Sequence, residues 1–197
     1  MSKLYFRYGA MNCGKTINVL TAAHNYEENN KKVVIIKSST DTKADTNIQT
    51  RIGLERNVDI LIDPKDSFEK YYDQWNNNDI ACILVDEAQF LTPKQVEELW
   101  IFCKMYETPV ICYGLRTDFQ TKSFPGSLRL FELADSLEEL PTICSCGKKA
   151  RFNSRFVDGK FTTEGESVVI DGAYSNVEYK PMCGKCYVKN KYKVKEQ

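Results

Sequence analysis

The sequence predicts an α/β fold in which a parallel sheet carries a phosphate-binding loop and a small cysteine-bearing part follows. Three observations predict it. Gly9-Ala10-Met11-Asn12-Cys13-Gly14-Lys15-Thr16 fits the pattern G-x-x-x-x-G-K-[ST]. Bounded apolar runs alternate with helical spacing from residue 3 to 113, as strands and helices of a parallel sheet do. Four cysteines then fall in two close pairs, Cys144/Cys146 and Cys183/Cys186.

The elements follow in order. Leu4-Tyr5-Phe6-Arg7-Tyr8 reads as a short aromatic and apolar strand leading into the phosphate loop. Ile17, Val19, Leu20 and Ala23 then give helical spacing up to the polar Glu27-Glu28-Asn29-Asn30. Lys32 to Lys37 is an apolar run suited to a strand buried on both faces. Residues 38–57 are polar and read as a long loop, a length that usually signals function. A short apolar run at 58–62 precedes Asp66-Ser67, which caps a helix reaching about Trp75.

Ile80 to Asp86 is the third strong strand. Thr92 and Pro93 open a helix as N-cap and first residue, with Val96, Leu99, Trp100 and Cys103 as its apolar face. Pro109 to Gly114 is the fourth strand. Beyond it the pattern changes to a polar loop, a short helix near 127–135 and a cysteine-containing segment with hairpin-like punctuation. The Lys-rich end from Lys189 reads as a frayed, solvated tail. The domain division expected is 1–140 for the nucleotide-binding part, 141–190 for the cysteine-bearing part and 191–197 for a flexible tail.

Composition narrows the function classes. In 197 residues, 27 basic side chains balance 27 acidic ones, so charge makes no case for a nucleic-acid or membrane partner. The sequence has no apolar run long enough to span a bilayer and no signal-peptide pattern. With eight cysteines and no export signal, a cytoplasmic location with reduced thiols is expected. The only histidine, His24, lies mid-helix among polar neighbours and reads as a surface residue.

The chemistry begins at the loop. Its small residues let successive backbone N–H groups curl around phosphate oxygens, and the helix that follows aims its positive end at them. Gly9 to Thr16 are therefore the phosphate-binding candidates, with Lys15 reaching the outer phosphates and Thr16 ligating Mg²⁺. Asp86 and Glu87, just past an apolar strand, are the second constellation, and Ala88 and Gln89 extend it. An acidic pair there can simply start a helix. Beside a phosphate loop, Asp86 instead suits the Mg²⁺ site, and Glu87 suits the base that accepts a proton from an attacking hydroxyl or water.

The two cysteine pairs are the third constellation. Four thiolates at Cys144, Cys146, Cys183 and Cys186 suit a structural tetrahedral zinc; a redox pair or unrelated thiols are the alternatives. Cys82, Cys103 and Cys112 sit in apolar runs as small core residues. Cys13 lies inside the phosphate loop near a helix N-terminus, which favours a reactive thiolate that bound ATP would shield.

Taken together, the phosphate loop with Met11, Val85-Asp86-Glu87-Ala88-Gln89-Phe90, Gly114-Leu115-Arg116-Thr117-Asp118-Phe119 and the two cysteine pairs resemble the cytosolic-type (type II) thymidine kinases. The resemblance runs nearly end to end. It implies a recombinase-like P-loop core with a C-terminal zinc ribbon or lasso, and transfer of the ATP γ-phosphate to the thymidine 5′-hydroxyl with Glu87 as proton acceptor. It further implies that Met11, Phe90, Leu115, Phe119 and Phe124 line the base pocket. Asp41 falls at a position with a substrate contact in the family, Val169-Ile170-Asp171-Gly172-Ala173 would hydrogen-bond the nucleoside, and Tyr179 would pack against it. A homotetramer and feedback inhibition by thymidine triphosphate (dTTP) are implied as well. Two departures stand out: Lys43 where arginine is usual, and Arg116 where many members are acidic.

Two other readings compete. One is a P-loop ATPase acting as a nucleic-acid motor or switch; the other is a kinase for a different nucleoside, such as deoxyuridine or a deoxycytidine-like substrate.

Overall fold

A computed structural model describes residues 1–40, 46–50, 52–165 and 176–194. Asp41, Lys43 and the segment Val169 to Ala173 lie outside the described residues.

Six strands form one parallel sheet in the order β5-β2-β6-β7-β1-β8. They are β1 (Leu4–Gly9), β2 (Lys32–Ser38), β5 (Ile60–Ile62), β6 (Ile80–Asp86), β7 (Val110–Leu115) and β8 (Ser136–Glu139). The central strands are apolar along their length because both faces are covered. On one face, α1 (Lys15–Glu27) buries Val19 and Ala23 against Ile35, Leu84 and Tyr113. On the other, α3 (Pro93–Met105) and α4 (Pro125–Leu133) pack with Phe6, Ile36, Val85, Leu99 and Phe102.

The start of α3 is as the sequence dictates. Thr92 Oγ1 accepts from the Gln95 N–H at 3.2 Å while Gln95 Oε1 accepts from the Thr92 N–H at 3.0 Å, a reciprocal capping box with Pro93 at the first position. The Asp66-Ser67 start is weaker. Ser67 caps a 3-10 turn at Phe68–Tyr71, and only Tyr72–Asn77 is α-helical (α2). Glu98, buried on α3, accepts from the Phe68 N–H at 2.6 Å and so fixes that turn in place of a longer helix.

Three expectations are corrected. Within the supposed loop at 38–57, β3 (Asn47–Gln49) and β4 (Glu55–Asn57) form an antiparallel hairpin that buries Ile48 beneath α1 and β2. The short helix begins two residues earlier than expected, because Pro125 supplies a ready first residue, and ends at Leu133. Strand β8 follows it, and its polar sequence hid it. The hairpin-like punctuation between the cysteine pairs corresponds to strands: β9 (Phe152–Val157) pairs antiparallel with both β10 (Lys160–Thr162) and β11 (Val177–Met182).

The end of the chain also differs. α5 (Gly184–Tyr192) carries Lys189 inside a helix, since Cys183 caps its start and Tyr187 anchors one face in a small core with Phe152 and Phe161. No helix among the described residues is long and apolar enough to cross a membrane.

Candidate active site

In a parallel sheet, ligands bind beyond the carboxyl ends of the strands. Here β1 ends at Gly9, in register with Leu115 at the end of β7, and β6 ends at Asp86, in register with Lys37 of β2. The phosphate loop, the acidic pair and the loop after β7 therefore emerge along one edge of the sheet.

The loop is shaped by left-handed backbone at Asn12 (φ 64°) and Gly14 (φ 79°), which lets its amides turn inward before α1 begins at Lys15. Gly9 has to be glycine. A Cβ there would lie 2.5 Å from Cys13 Sγ and 2.9 Å from the Leu140 carbonyl oxygen. Ala10 is buried beside it, and Lys15 is 93% buried, with Nζ 3.9 Å from Cys13 Sγ.

Asp86 is the most perturbed group of the site. Burial pushes its carboxyl up to about 7, and the neighbouring Glu87 charge adds to that. Lys15, the Glu87 N–H and the Thr16 hydroxyl act in the opposite sense, and the last of these hydrogen-bonds the carboxylate. Thr16 and Asp86 thus face each other, a hydroxyl and a carboxylate presenting the hard oxygens that Mg²⁺ takes. A divalent cation there would also offset the cost of a buried charge.

Glu87 follows in the left-handed conformation, φ 50°, at the entry to a 3-10 turn, Ala88–Phe90. Its Oε2 accepts from Gln89 Nε2. Gln89 in turn accepts from the Leu115 N–H through Oε1, at 2.9 Å. A buried glutamine therefore ties the carboxylate to the loop after β7. Gly114 leaves room for it, since a Cβ there would lie 3.0 Å from Gln89 Oε1.

The aromatic candidates meet in two pairs. Phe90 and Phe124 meet edge to face at 5.8 Å, and Phe119 and Tyr179 at 6.3 Å. The Arg155 guanidinium lies over the Phe119 ring at 4.4 Å. Leu115, whose N–H is held by Gln89, has its carbonyl accepting from Ser127 Oγ at 2.6 Å. α4 comes this close because of Gly126, where a Cβ would fall 2.4 Å from the Leu91 carbonyl oxygen. Arg116 points away, over the Phe152 ring at 5.5 Å.

Three side chains that the sequence reading passed over join the C-terminal part to this edge. Asn153 accepts from the Met11 N–H and donates to the Thr117 carbonyl, each at 2.8 Å. Tyr187 donates to the Phe119 carbonyl at 2.6 Å. Gln120 donates to the Thr163 and Gly165 carbonyls, both at 2.9 Å. Only Tyr187 carried a signal, an aromatic residue directly after a cysteine pair.

The four cysteines converge. Their sulfurs all lie within 4.8 Å of one another, with Cys146 and Cys183 at 3.5 Å. Tetrahedral zinc with Zn–S bonds of about 2.3 Å sets its sulfurs roughly 3.8 Å apart, so the cluster has the dimensions that zinc needs. Burial raises the Cys144 thiol, but backbone N–H groups of Cys146 and Cys183 outweigh it and bring it down to about 6. Hydrogen bonding with Cys146 and Cys183 holds Cys186 up to about 12. The remaining cysteines, apart from Cys13, are buried core thiols.

Comparison with known proteins bears on what this edge does. A family model described as thymidine kinase matches residues 2–187. The thymidine kinase of Lactiplantibacillus plantarum is 45% identical, over 93% of this chain and 94% of its own. That of Chromobacterium violaceum is 42% identical, over 95% of this chain and 98% of its own. That of enterobacteria phage T4 is 43% identical, over 86% and 89%.

Proposed function

The chain belongs to the thymidine kinase family, and on that premise we propose that the edge formed by β1, β6 and β7 transfers the γ-phosphoryl group of ATP to the 5′-hydroxyl of thymidine, giving thymidine monophosphate. The observation that carries the residue roles is the meeting of Thr16 with Asp86 and of Glu87 with the Gln89–Leu115 tie, between a phosphate loop and an aromatic cluster.

The roles follow from charge. Phosphoryl transfer needs in-line placement, neutralisation of negative charge on the moving group and acceptance of a proton from the attacking hydroxyl. The loop amides, from Asn12 onward, and the Lys15 ammonium would hold the phosphates. Thr16 and Asp86 would hold Mg²⁺, which when bound supplies further neutralisation. Glu87, held by Gln89, would take the 5′-hydroxyl proton. Phe90, Phe119, Phe124, Leu115, Met11 and Tyr179 would enclose the base and keep water away from the phosphoryl group, so that transfer outruns hydrolysis. Zinc on the four cysteines would fix the small C-terminal core and, through Tyr187, the Phe119 loop.

The wider reading is a cytoplasmic homotetramer inhibited by thymidine triphosphate, with Val169 to Ala173 on the nucleoside and the division at 140 separating core from zinc part. It rests on the resemblance. The test is a product assay with ATP–Mg²⁺ and thymidine, deoxyuridine, deoxycytidine or short single-stranded DNA. Thymidine monophosphate as the main product supports the proposal. ATP hydrolysis stimulated by DNA, with no nucleoside phosphorylated, overturns it in favour of a nucleic-acid-dependent ATPase. A thermal-shift panel with the same ligands gives a second readout, because a ligand bound by the folded state raises its melting point.

A further inference from the structure

Asn153 is 97% buried at the start of β9, in the C-terminal sheet, and both its amide oxygen and its amide nitrogen are engaged by two other segments. Its oxygen holds the Met11 N–H of the phosphate loop and its nitrogen holds the Thr117 carbonyl of the loop after β7. Each segment serves a different substrate in the reading above: Met11 lies in the loop that takes the donor's phosphates, and Thr117 precedes Asp118 and Phe119 of the acceptor pocket.

The choice of side chain matters. A carboxamide offers an acceptor and a donor a fixed distance apart, so one residue can satisfy an N–H of one segment and a C=O of another. The bond also withdraws the Met11 N–H from phosphate. The first half of the loop is then pinned towards β9, and the amides from Asn12 to Thr16 are left to curl. The acceptor loop is braced internally by Asp118 Oδ1, which accepts from the Gln120 and Lys122 N–H groups at 2.8 and 2.9 Å. Tyr187 and Gln120 tie it to the C-terminal part without reaching the phosphate loop. As a rigid unit it needs an outside point of reference, and Asn153 gives it one that it shares with the donor loop.

We propose that Asn153 is a positioning residue for phosphoryl transfer: its amide holds the phosphate loop and the acceptor loop in a common register, so that the 5′-hydroxyl lies in line with the γ-phosphate. The proposal rests on the kinase reading. It concerns placement rather than binding, so its signature is loss of turnover and of coupling with ATP affinity preserved. Misplacement by about 1 Å costs on the order of 100-fold in rate. A hydroxyl out of line also leaves the phosphoryl group open to water.

The test compares zinc-loaded full-length protein with Asn153→Ala, which loses both bonds, and Asn153→Asp, which keeps the acceptor for Met11 and loses the donor to Thr117. Expected for Asn153→Ala are a fall in kcat of about 30- to 100-fold, ATP affinity within about threefold of the parent, and a rising ratio of ADP to thymidine monophosphate formed. Asn153→Asp should fall between. Hydrogen exchange should show faster exchange at Met11 and around Thr117 in the alanine variant, and around Thr117 alone in the aspartate variant.

A purely structural role would lower the melting point and leave coupling and kcat per folded site within twofold; that result overturns the proposal. So does failure of both variants to fold at unchanged zinc content. Loss of ATP binding in step with kcat overturns it too, since Asn153 would then serve the phosphate loop alone. If the parent itself phosphorylates no thymidine, the kinase reading fails, and the exchange pattern still decides whether Asn153 ties the two loops.

Discussion

Replacing Glu87 with glutamine is the sharpest test of the acidic pair. The substitution is nearly isosteric, and its amide oxygen can still accept from Gln89 Nε2, so the side chain keeps its place. It cannot accept a proton. Proton transfer to a positioned base contributes about 100- to 10,000-fold, so kcat should fall by at least about 100-fold, equivalent to ~2.7 kcal/mol of activation free energy.

ATP affinity should stay within about threefold, because Lys15, Thr16 and the loop amides are untouched. The structure adds a second signature. Glu87 is one of the causes that raise the Asp86 carboxyl to about 7. Without that charge Asp86 ionises at lower pH, and the acid limb of the residual activity should move downward. The assay is thymidine monophosphate formation against pH, from about pH 5 to about pH 9, for both proteins. A glutamine variant of full activity would remove Glu87 from the mechanism. Reduced activity with an unmoved acid limb would refute the electrostatic coupling of the two carboxylates.

Further outcomes follow from other parts of the site. The folded state holds the Asp86 proton up to about 7 while an unfolded chain releases it near 3.8, so unliganded stability should fall as pH rises between those values. Asp86→Asn should flatten that slope in chemical denaturation, and an unchanged slope would show that another group dominates. Gly126→Ala sets a Cβ 2.4 Å from the Leu91 carbonyl oxygen and should destabilise by about 1–3 kcal/mol, lowering the melting point and weakening thymidine binding together. A variant as stable as the parent would mean that α4 can back away without cost. Cys13 should be the thiol most readily alkylated in the zinc-loaded protein, since Cys82, Cys103 and Cys112 are buried with raised pKa. ATP should slow that alkylation, and equal rates with and without nucleotide, read by peptide mapping, would refute the shielding.

What the sequence revealed and what it hid divide along physical lines. β2, β6 and β7 are buried on both faces, so they announce themselves as apolar runs, and the Thr92–Pro93 start of α3 is local chemistry. β8 is an edge strand of Ser-Leu-Glu-Glu, half exposed, and its place beside β1 comes from backbone pairing that no side chain advertises. The two strands of the β3–β4 hairpin show one buried residue, Ile48, too little to give a period.

The site divides in the same way. The residues proposed to hold phosphate lie in one short motif because one loop must present them together. Asn153, Gln120 and Tyr187 act on backbone groups 36 to 142 positions away, and sequence carries no mark of such a partner. Sequence reading could count the four cysteines and propose their ligand; it had no means to say that Tyr187 beside them would reach the Phe119 loop.

Glu87 has one more consequence. A non-glycine residue at φ 50° costs of order 1 kcal/mol, and Asp86, whose carboxyl burial pushes up, stands next to it. Two locally unfavourable features thus stand side by side at the proposed catalytic edge. Substituting glycine at position 87 would relax the backbone while removing the proposed proton acceptor. Selection for thermostability alone would drift towards such inert variants, and a heat-hardened form of this chain should be screened by turnover before it is trusted.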